Sequence, residues 1–343
     1  MLPYCTSMDT AGPSPGSVAV ILVDWNSGNL ITRCLEALAR QTLPPHAVMV
    51  VDNASESPTW RHVGLAPDRL EMVRMPANLG FAAGVNRGVA LAEGVDWIAL
   101  LNPDAFPDPG WLENLVGAAS RNPSYEFFAS RQVLAEAPER LDGTGDVYAV
   151  SGLAWRRDHG EQGADRRLAE EEVFGPCAAA ALYRRQVFLD AGGLDETFFC
   201  YFEDVDLAFR LRLAGHRCLY VPDAVVTHVG SALTGRRSDF SVYHGHRNLV
   251  WTFLKNMPPS MLARYWPHHL LLNALSIVIL TSRGQGATIL RAKRDALLAL
   301  PRVLRQRRLV QRTRRVGAAD LRPVMVGGRQ AFGIGRPAPG AAS

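Results

Sequence analysis

"VAVILVDWNSGNLITRCLEALARQTLPPHAVMVVDN", residues 18–53, contains two apolar runs separated by a segment with helical periodicity. The runs Val18–Val23 and Ala47–Val51 are rich in Val, Ile and Leu, which favours strands, whereas Asn29–Arg40 has its apolar residues at helical spacing. Strands that are apolar at every position are buried on both faces, as in parallel sheets covered by helices. The stretch therefore predicts two parallel strands joined by a helix.

The same alternation continues beyond this unit. Leu70–Arg74 and Trp97–Leu101 are further strand candidates, and Phe81–Glu93 between them has helical spacing. Later segments near Tyr125–Val133 and Val173–Leu182 also resemble strands, although the second half is less regular. The sequence thus predicts an α/β fold with a mixed, mostly parallel sheet flanked by helices.

Polar side chains follow the ends of the first strands. In open α/β sheets ligands bind beyond the carboxyl ends of the strands. Amide and carboxylate groups collected there can recognise a base and ribose and hold a metal-bound diphosphate. The alternative is turn chemistry, because Asn and Asp favour loops generally. The candidate binding residues are Asp24, Asn26, Asp52, Asn53, Asn78, Asn102 and Asp104.

Glycines distinguish between classes of nucleotide-binding protein. No Gly-x-Gly-x-x-Gly follows the first strand and no Walker lysine motif is present, which disfavours dinucleotide oxidoreductases and phosphate-loop ATPases. Gly80, Gly84 and Gly88 instead recur along one helix face, a spacing that indicates close packing of helix on sheet. Asn86 on the same helix is a further binding candidate that faces either the site or solvent.

The stretch "CYFEDVDLAFRLRLAGHRCLY", residues 200–220, combines three carboxylates with a run of aromatic residues. Asp206 fits a structural role, because acids in the first turn of a helix complement its dipole and Arg210 lies four residues later. A cap requires one acid and no aromatic neighbours, so it explains Glu203 and Asp204 less well. These two carboxylates are the candidate catalytic residues.

The five cysteines are scattered and odd in number, which suggests a reducing compartment and no disulfide framework.

The net charge is +4, but residues 283–315 contain eleven Lys or Arg and one acid. The apolar run Leu270–Leu280 before this basic segment is about half the length that spans a bilayer. Together they predict helices at a membrane surface over residues 260–316. A helical cap with a solvated basic face and a nucleic-acid contact are the alternatives, and we do not expect nucleic acid.

Six ordered motifs resemble the inverting family 2 glycosyltransferases of GT-A fold, in particular their rhamnosyltransferase-like branch. They cover about residues 18–256. The motifs are "VDNAS" (51–55), "NLGFAAGVNRG" (78–88), "LLNPDA" (100–105), "GGLDETFFCYFEDVDLAFRLRLAG" (192–215), "THVG" (227–230) and "YHGHRN" (243–248).

The resemblance implies roles for individual residues. Asp52 would recognise the pyrimidine base of a nucleotide sugar, and Asp104 would be the last carboxylate of the metal-binding Asp-x-Asp motif. His228 would be a further metal ligand near the diphosphate. Glu203 and Asp204 match the catalytic acidic pair, in which Asp is usually the base.

The same resemblance places Arg247 near the diphosphate, and two positions depart from the family pattern. Asn102 stands where the first metal-binding Asp is expected, and Asp24 stands where Asn is more usual. A single carboxylate with phosphate oxygens and water still suffices for Mg²⁺. The loop Gly230–Ser238 is predicted to be either a lid over the diphosphate or a solvated basic loop.

These inferences define the expected organisation. Residues 1–17 and 327–343 are predicted to be disordered tails, 18–256 to form the GT-A domain and 257–326 to form amphipathic basic helices. Within the domain, 18–105 would bind the nucleotide sugar and 106–256 would supply the acceptor and catalytic half.

The expected function is a metal-dependent inverting hexosyltransferase of cell-envelope polysaccharide synthesis, at the inner face of the membrane. It would use Mg²⁺ or Mn²⁺ and move rhamnose from dTDP-rhamnose to a lipid-linked saccharide or glycan acceptor. The alternatives are a UDP-hexose donor, a sugar-phosphate nucleotidyltransferase, or a non-catalytic nucleotide-sugar-binding subunit. The nucleotidyltransferase lacks support because "DWNSGNL", residues 24–30, is not a Gly-rich basic loop.

Overall fold

The computed structural model describes residues 16–57, 65–163, 168–230 and 238–333. Most strands of this part belong to one large sheet, and three short ones form a second sheet. The strands are β1 Val18–Asp24, β2 Ala47–Asp52, β3 Leu70–Arg74, β4 Trp97–Leu101, β5 Ala105–Pro107, β6 Phe127–Leu134, β7 Ala137–Gly143, β8 Asp146–Ala149, β9 Ala154–Arg156, β10 Glu171–Val173, β11 Ala180–Arg184, β12 Cys218–His228 and β13 Met325–Val326.

Helices cover both faces of the large sheet and make up most of the C-terminal part. Short 3-10 helices occur at Pro67–Arg69, Glu196–Phe198, Arg322–Val324 and Gly328–Phe332. The α-helices are α1 Asn29–Ala39, α2 Phe81–Leu91, α3 Trp111–Arg121, α4 Arg185–Asp190, α5 Glu203–Leu213, α6 Asp239–Asn256, α7 Pro259–Ser282, α8 Gly286–Leu298, α9 Leu300–Thr313 and α10 Ala318–Leu321.

The large sheet has the strand order β10-β12-β6-β11-β4-β1-β2-β3, with β5 paired to β12 and β7 paired to β6. Strands β1 to β4 are parallel to their neighbours within this group, whereas β11 runs antiparallel to β4 and β6. The predicted mixed, mostly parallel sheet flanked by helices is confirmed. In this register Asp24 lies opposite Asp52, so the ends of β1 and β2 meet at one edge of the sheet.

Strand β1 explains why the first run is apolar throughout. Ala19, Ile21 and Val23 face one hydrophobic cluster, and Val18, Val20 and Leu22 face another. Because side chains alternate along a strand, both faces of the sheet are covered and each residue of β1 is buried. The two apolar runs Cys218–Val221 and Ala224–Thr227 belong to the single strand β12, which has a register shift between Val221 and Val225.

The C-terminal helices share the core of the sheet. Met257, Met261, Tyr265, Leu321 and Met325 belong to the same buried cluster as β1 and β4. The predicted boundary at 256/257 therefore does not separate two hydrophobic cores, because apolar residues on both sides of it pack together.

The predicted tails lie largely outside the described residues, which exclude 1–15 and 334–343. Order continues beyond the predicted boundary at 326, because the short helix Gly328–Phe332 buries Ala331 against the same core. The carbonyl of Ala331 accepts a hydrogen bond from the Ser151 hydroxyl. Of the predicted lid, residues 231–237 also lie outside the described part.

Two of the helix glycines pack against β1, as the sequence indicated. A Cβ atom on Gly84 would lie 2.6 Å from Val23 Cγ1, and one on Gly88 would lie 2.6 Å from Ile21 Cγ2. Gly80 has a φ of +90°, and its Cβ would lie 2.5 Å from the carbonyl oxygen of Phe199. Helix α2 therefore approaches both the sheet and the segment before α5 more closely than a larger residue allows.

Replacing Gly84 with Ala is expected to lower the free energy of unfolding by about 1–3 kcal/mol, because the new methyl group overlaps Val23. Gly245 is the matched control, because a Cβ atom built there would have no neighbouring heavy atom within 4 Å. Gly245→Ala should leave stability unchanged or raise it by up to about 1 kcal/mol. Urea unfolding measures both, and equal effects would contradict the packing argument.

Candidate functional site

A cavity of about 450 Å³ opens at the carboxyl edge of β1, β2 and β4. Its volume lies within the range of small-molecule sites. Residues from both halves of the chain line it, which places the ends of the first strands beside the start of α5. The polar and ionisable lining residues include Asn53, Asn78, Asn102, Asp104, Asp146, Arg156, Cys177, Cys200, Tyr201, Glu203, Asp204 and His228.

Asp24 and Asp52 lie at this edge but behind the cavity wall. Asp52 is fully buried, accepts a hydrogen bond from the Ser55 amide (2.8 Å) and pairs with Arg74 at 2.6 Å. Asp24 accepts hydrogen bonds from the Ser27 amide and hydroxyl. Burial raises the pKa of Asp24 despite these bonds. The cavity is lined instead by residues adjacent to them in the sequence, namely Val23, Trp25 and Asn53.

The predicted asparagines have different positions. The Asn53 amide donates to Asn78 Oδ1 (2.9 Å), and both side chains line the cavity. Asn26, with a φ of 55°, joins two loops by bonding Ser55 and Glu56, outside the cavity lining. Its sequence neighbour Trp25, which is 39% exposed, lines the cavity.

Asp104 and His228 lie side by side because β5, which follows Asp104, pairs with the end of β12. Their atoms Oδ1 and Nε2 are 3.3 Å apart. His228 Nδ1 lies 2.6 Å from Asp142 Oδ2, and Arg156 also contacts Asp142. Burial alone would raise the pKa of Asp142, but Arg156, His159 and His228 hold it well below its usual range.

This arrangement fits a divalent cation. His228 Nε2 is buried and faces Asp104 Oδ1 at 3.3 Å, while Asp142 orients the ring through Nδ1. A carboxylate behind a histidine is the usual support of a metal ligand. Nowhere in the described ranges do three His, Cys, Asp or Glu side chains form a metal-binding group. Other ligands would have to be diphosphate oxygens and water.

Glu203 and Asp204 begin α5 and line the cavity wall together. Asp204 is half-buried, and its two carboxylate oxygens accept backbone hydrogen bonds from Val205 (2.8 Å) and Ala178 (3.1 Å). Burial raises the pKa of Asp204. Glu203 is only 6% exposed, and burial together with the charge of Asp204 raises its pKa well above the usual value. Asp204 is therefore the more exposed carboxylate of the pair, and both of its oxygens are held by backbone amides.

Sequence analysis missed Asp146 and Arg156, which line the cavity from β8 and β9. Burial and the nearby charge of Asp204 raise the pKa of Asp146 well above its usual value. The many charged residues of 156–172 predict a loop that starts at Arg156, and 164–167 lie outside the described residues. A lone Arg in an irregular segment carries no local pattern, so only the pairing of β8 with β9 reveals its position.

Two predicted binding residues lie elsewhere. The Asn86 side chain donates a hydrogen bond to the Leu194 carbonyl and accepts one from the Leu194 amide. It therefore joins α2 to the segment before α5. Arg247 donates to the carbonyl of Phe198 (2.9 Å) and lies over the ring of Trp251. Neither residue lines the cavity.

Comparison with a solved structure identifies the class of fold. The chain superposes on GalNAc-T7, crystallised with UDP, GalNAc and Mn²⁺, with a TM-score of 0.57 and 15% identity. The match covers 69% of this chain and 47% of that one, and at this identity it shows the fold alone. The architecture is the GT-A glycosyltransferase fold.

Sequence comparison gives the family. The profile described as "Glycosyl transferase family 2" matches residues 19–191. The chain is 32% identical over 260 residues to N-acetylglucosaminyl-diphospho-decaprenol L-rhamnosyltransferase of Mycobacterium tuberculosis, covering 68% of this chain and 83% of the relative. It is 33% identical over 220 residues to the pre-mycofactocin glycosyltransferase of that organism, covering 64% and 44%. The chain belongs to Glycosyl transferase family 2.

Replacing Glu203 with Gln is expected to flatten the dependence of stability on pH. The raised pKa means that the folded state holds the Glu203 proton more tightly than the unfolded state does. This contribution is complete below the unfolded value of about 4.3 and is lost as the pH rises through the folded pKa.

The measurement is the free energy of unfolding at pH 5 and pH 8. The loss between the two should be smaller in Glu203→Gln than in the parent chain. Glu136→Gln, at an exposed position, is the control and should follow the parent. A variant at 203 with the parent's pH dependence would show that Glu203 is ionised in the folded state.

Proposed function

We propose that this protein transfers rhamnose from dTDP-rhamnose to a polyprenyl-diphosphate-linked saccharide or growing glycan, with inversion at the anomeric carbon. The observation that carries the proposal is the shared cavity, in which Asp204 and the Asp104–His228 pair line one space at the carboxyl edge of the sheet. One site thus supplies both a base and a position for the diphosphate.

Asp204 acts as the base in this proposal. Its backbone hydrogen bonds orient the carboxylate, and its raised pKa makes it a stronger base than an exposed Asp. The acceptor hydroxyl oxygen attacks the anomeric carbon, its proton passes to Asp204, and the bond from that carbon to the diphosphate oxygen breaks. A single displacement of this kind inverts the configuration and requires no covalent intermediate.

Asp104 and His228 would hold Mg²⁺ or Mn²⁺ at the diphosphate. The bound cation supplies Lewis-acid stabilisation of the leaving nucleoside diphosphate. With Asn102 in the first position of the motif, Asp104 is the carboxylate that the motif contributes, and Asp142 and Arg156 fix the orientation of His228. Asn53, Asn78 and Trp25 would contact the nucleoside from the walls at β1 and β2.

Similarity to the mycobacterial L-rhamnosyltransferase supports the choice of donor and of a lipid-linked acceptor. A UDP-hexose donor keeps the same chemistry and is the first alternative. A non-catalytic binding subunit is the second, which Asn102 favours and the intact Glu203–Asp204 pair opposes.

We also propose that the protein binds the inner face of the membrane through α7. One side of this helix is exposed and apolar over several turns, and residues 265–282 contain no Asp, Glu, Lys or Arg. The exposed members are Trp266, Leu270, Leu271, Leu275, Val278 and Ile279. None of the helices in the described ranges is both long enough and apolar enough to cross a bilayer.

Charge complementarity selects an anionic lipid surface as the occupant of this face. Arg283 follows α7 directly, and the exposed residues of α8 include Arg291 and Arg294 beside Leu290 and Leu297. An apolar face bordered by arginines is typical of helices that lie in the plane of a membrane interface. Such docking would bring the cavity to a lipid-linked acceptor.

The decisive experiment compares Asp204→Asn with the parent chain. Asn keeps the size and hydrogen-bond acceptor of Asp but cannot accept a proton, so kcat should fall by about 10²–10⁴-fold. Calorimetry should show an unchanged Kd for dTDP-rhamnose. Transfer is measured with a polyprenyl-diphospho-GlcNAc acceptor.

The same calorimetry includes UDP-glucose, UDP-galactose and GDP-mannose as competing donors, first with Mg²⁺ or Mn²⁺ and then with EDTA. Selection of dTDP-rhamnose that EDTA abolishes would support both the donor and the cation. Selection of a UDP-hexose would replace the donor and keep the reaction. Full transfer by Asp204→Asn would refute the assignment of the base.

Leu270→Glu and Val278→Glu should each weaken binding to vesicles that contain phosphatidylglycerol by about tenfold or more, because burial of one such side chain contributes about 1.5–3 kcal/mol. Leu189→Glu, at an exposed apolar position on α4, is the control and should bind like the parent. Cosedimentation measures the binding. The proposal would be contradicted if the parent protein did not bind anionic vesicles, or if both α7 variants bound them like the parent.

A further inference from the structure

The segment 195–206, which contains Glu203 and Asp204, has an unusual backbone. Phe199, Tyr201 and Phe202 have φ angles of 68°, 65° and 69°. Large side chains rarely adopt this left-handed region, which favours glycine. Three such residues within four positions persist only where neighbouring groups determine the conformation.

The first of the three closes a tight turn. Phe199 has a ψ of −68°, and the Cys200 amide donates to the Phe198 carbonyl at 2.9 Å. This is the rare form of the γ-turn, which is strained for an L-residue. Phe202 is the residue directly before α5. The orientation of Glu203 and Asp204 at the start of α5 therefore depends on the backbone of these three residues.

Asn248 of α6 holds this backbone. Its buried amide nitrogen lies 3.0, 2.9 and 2.7 Å from the carbonyl oxygens of Phe198, Cys200 and Tyr201. Its Oδ1 accepts a hydrogen bond from Arg247 Nε at 2.9 Å, which directs the amide protons toward those carbonyls. One side chain thus contacts the backbone on both sides of the strained turn.

Arg247 reinforces the same contact. Its Nη2 atom donates to the Phe198 carbonyl at 2.9 Å, and its guanidinium lies 4.3 Å from the centre of the Trp251 ring. The arginine is therefore oriented by both the ring and Asn248. Its charge faces carbonyl oxygens of the segment instead of the cavity.

Lys255, two helical turns beyond Asn248, holds the two ends of the segment. Its buried Nζ lies 2.7 Å from Asp195 Oδ2 and 2.7 Å from Asp206 Oδ1. Asp195 precedes the turn and Asp206 follows the catalytic pair. A spacing of seven residues places Asn248 and Lys255 on one face of α6.

We propose that Arg247, Asn248 and Lys255 are positioning residues that hold the segment 195–206 in its left-handed conformation and so direct Asp204 at the reacting hydroxyl. The inference rests on the proposed transferase function for the role of Asp204. It also gives the "RN" of the "YHGHRN" motif a role distinct from contact with the diphosphate.

The test compares Asn248→Ala with Tyr243→Phe. The control lies on the same helix α6 and removes one hydrogen bond, which the Tyr243 hydroxyl donates to Asp295 at 2.7 Å and which does not involve the segment. In the alanine variant kcat should fall by about 100-fold, the effect of a small displacement of a catalytic group. The Kd for the donor should stay within about threefold of the parent. Tyr243→Phe should keep the parent values.

A second readout does not depend on turnover. Cys200 lies in the segment, and burial raises the pKa of its thiol, so it should react slowly with a disulfide reagent. In Asn248→Ala, labelling of Cys200 should be faster by about tenfold or more, as located by mass spectrometry in a Cys5→Ser background. Tyr243→Phe should label at the parent rate.

The outcomes separate the two proposals. If the parent transfers no sugar but Asn248→Ala exposes Cys200, the positioning role stands and the proposed reaction fails. If Asn248→Ala folds with kcat and Cys200 labelling within about threefold of the parent, the positioning role is overturned. Should the alanine variant not fold, Asn248→Asp keeps the volume, sets a carboxylate against three carbonyls, and is judged by the same two readouts.

Discussion

The buried ion group around Lys255 is the interaction on which the site depends most. Lys255 is 2% exposed and bridges Asp195 and Asp206. Burial would raise the pKa of Asp195, but Lys255 and Thr197 lower it to about 2. Removing one member of such a group typically costs about 3–5 kcal/mol, because the remaining charge is buried and unpaired. The network therefore holds the ends of the segment before and after the catalytic pair on one helix.

That helix, α6, is in turn held by the C-terminal helices. Gln306 of α9 donates to Asp195 at 2.9 Å, and Arg307 donates to the carbonyls of Leu254 (2.8 Å) and Met257 (2.6 Å) at the end of α6. The basic C-terminal part is thus connected directly to segment 195–206 and to the helix that holds it. Helix α7, for which membrane contact is proposed, and the cavity-lining segment held by α6 therefore share one structural support.

Several residues that the sequence pattern selected line the cavity. Asn53, Asn102 and Asp104 follow apolar strands, and the parallel register of β1, β2 and β4 brings them to the cavity. Asp52 shares that pattern but is paired with Arg74, because the opposite position on β3 is an arginine. Arg247, predicted to lie near the diphosphate, contacts the backbone carbonyl of Phe198, and no local residue pattern indicates that contact.

The sequence by itself determined the alternation of strands and helices in the first hundred residues, the close packing of Gly84 and Gly88, and the candidacy of Asp204 and Asp104. These features depend on periodicity, steric size and residue chemistry, which are local. Only the tertiary structure decided that Asp146 and Arg156 enter the site and that Asn248 supports the left-handed turn. These contacts join residues far apart in the chain, so they exist only once the sheet and α6 have packed together.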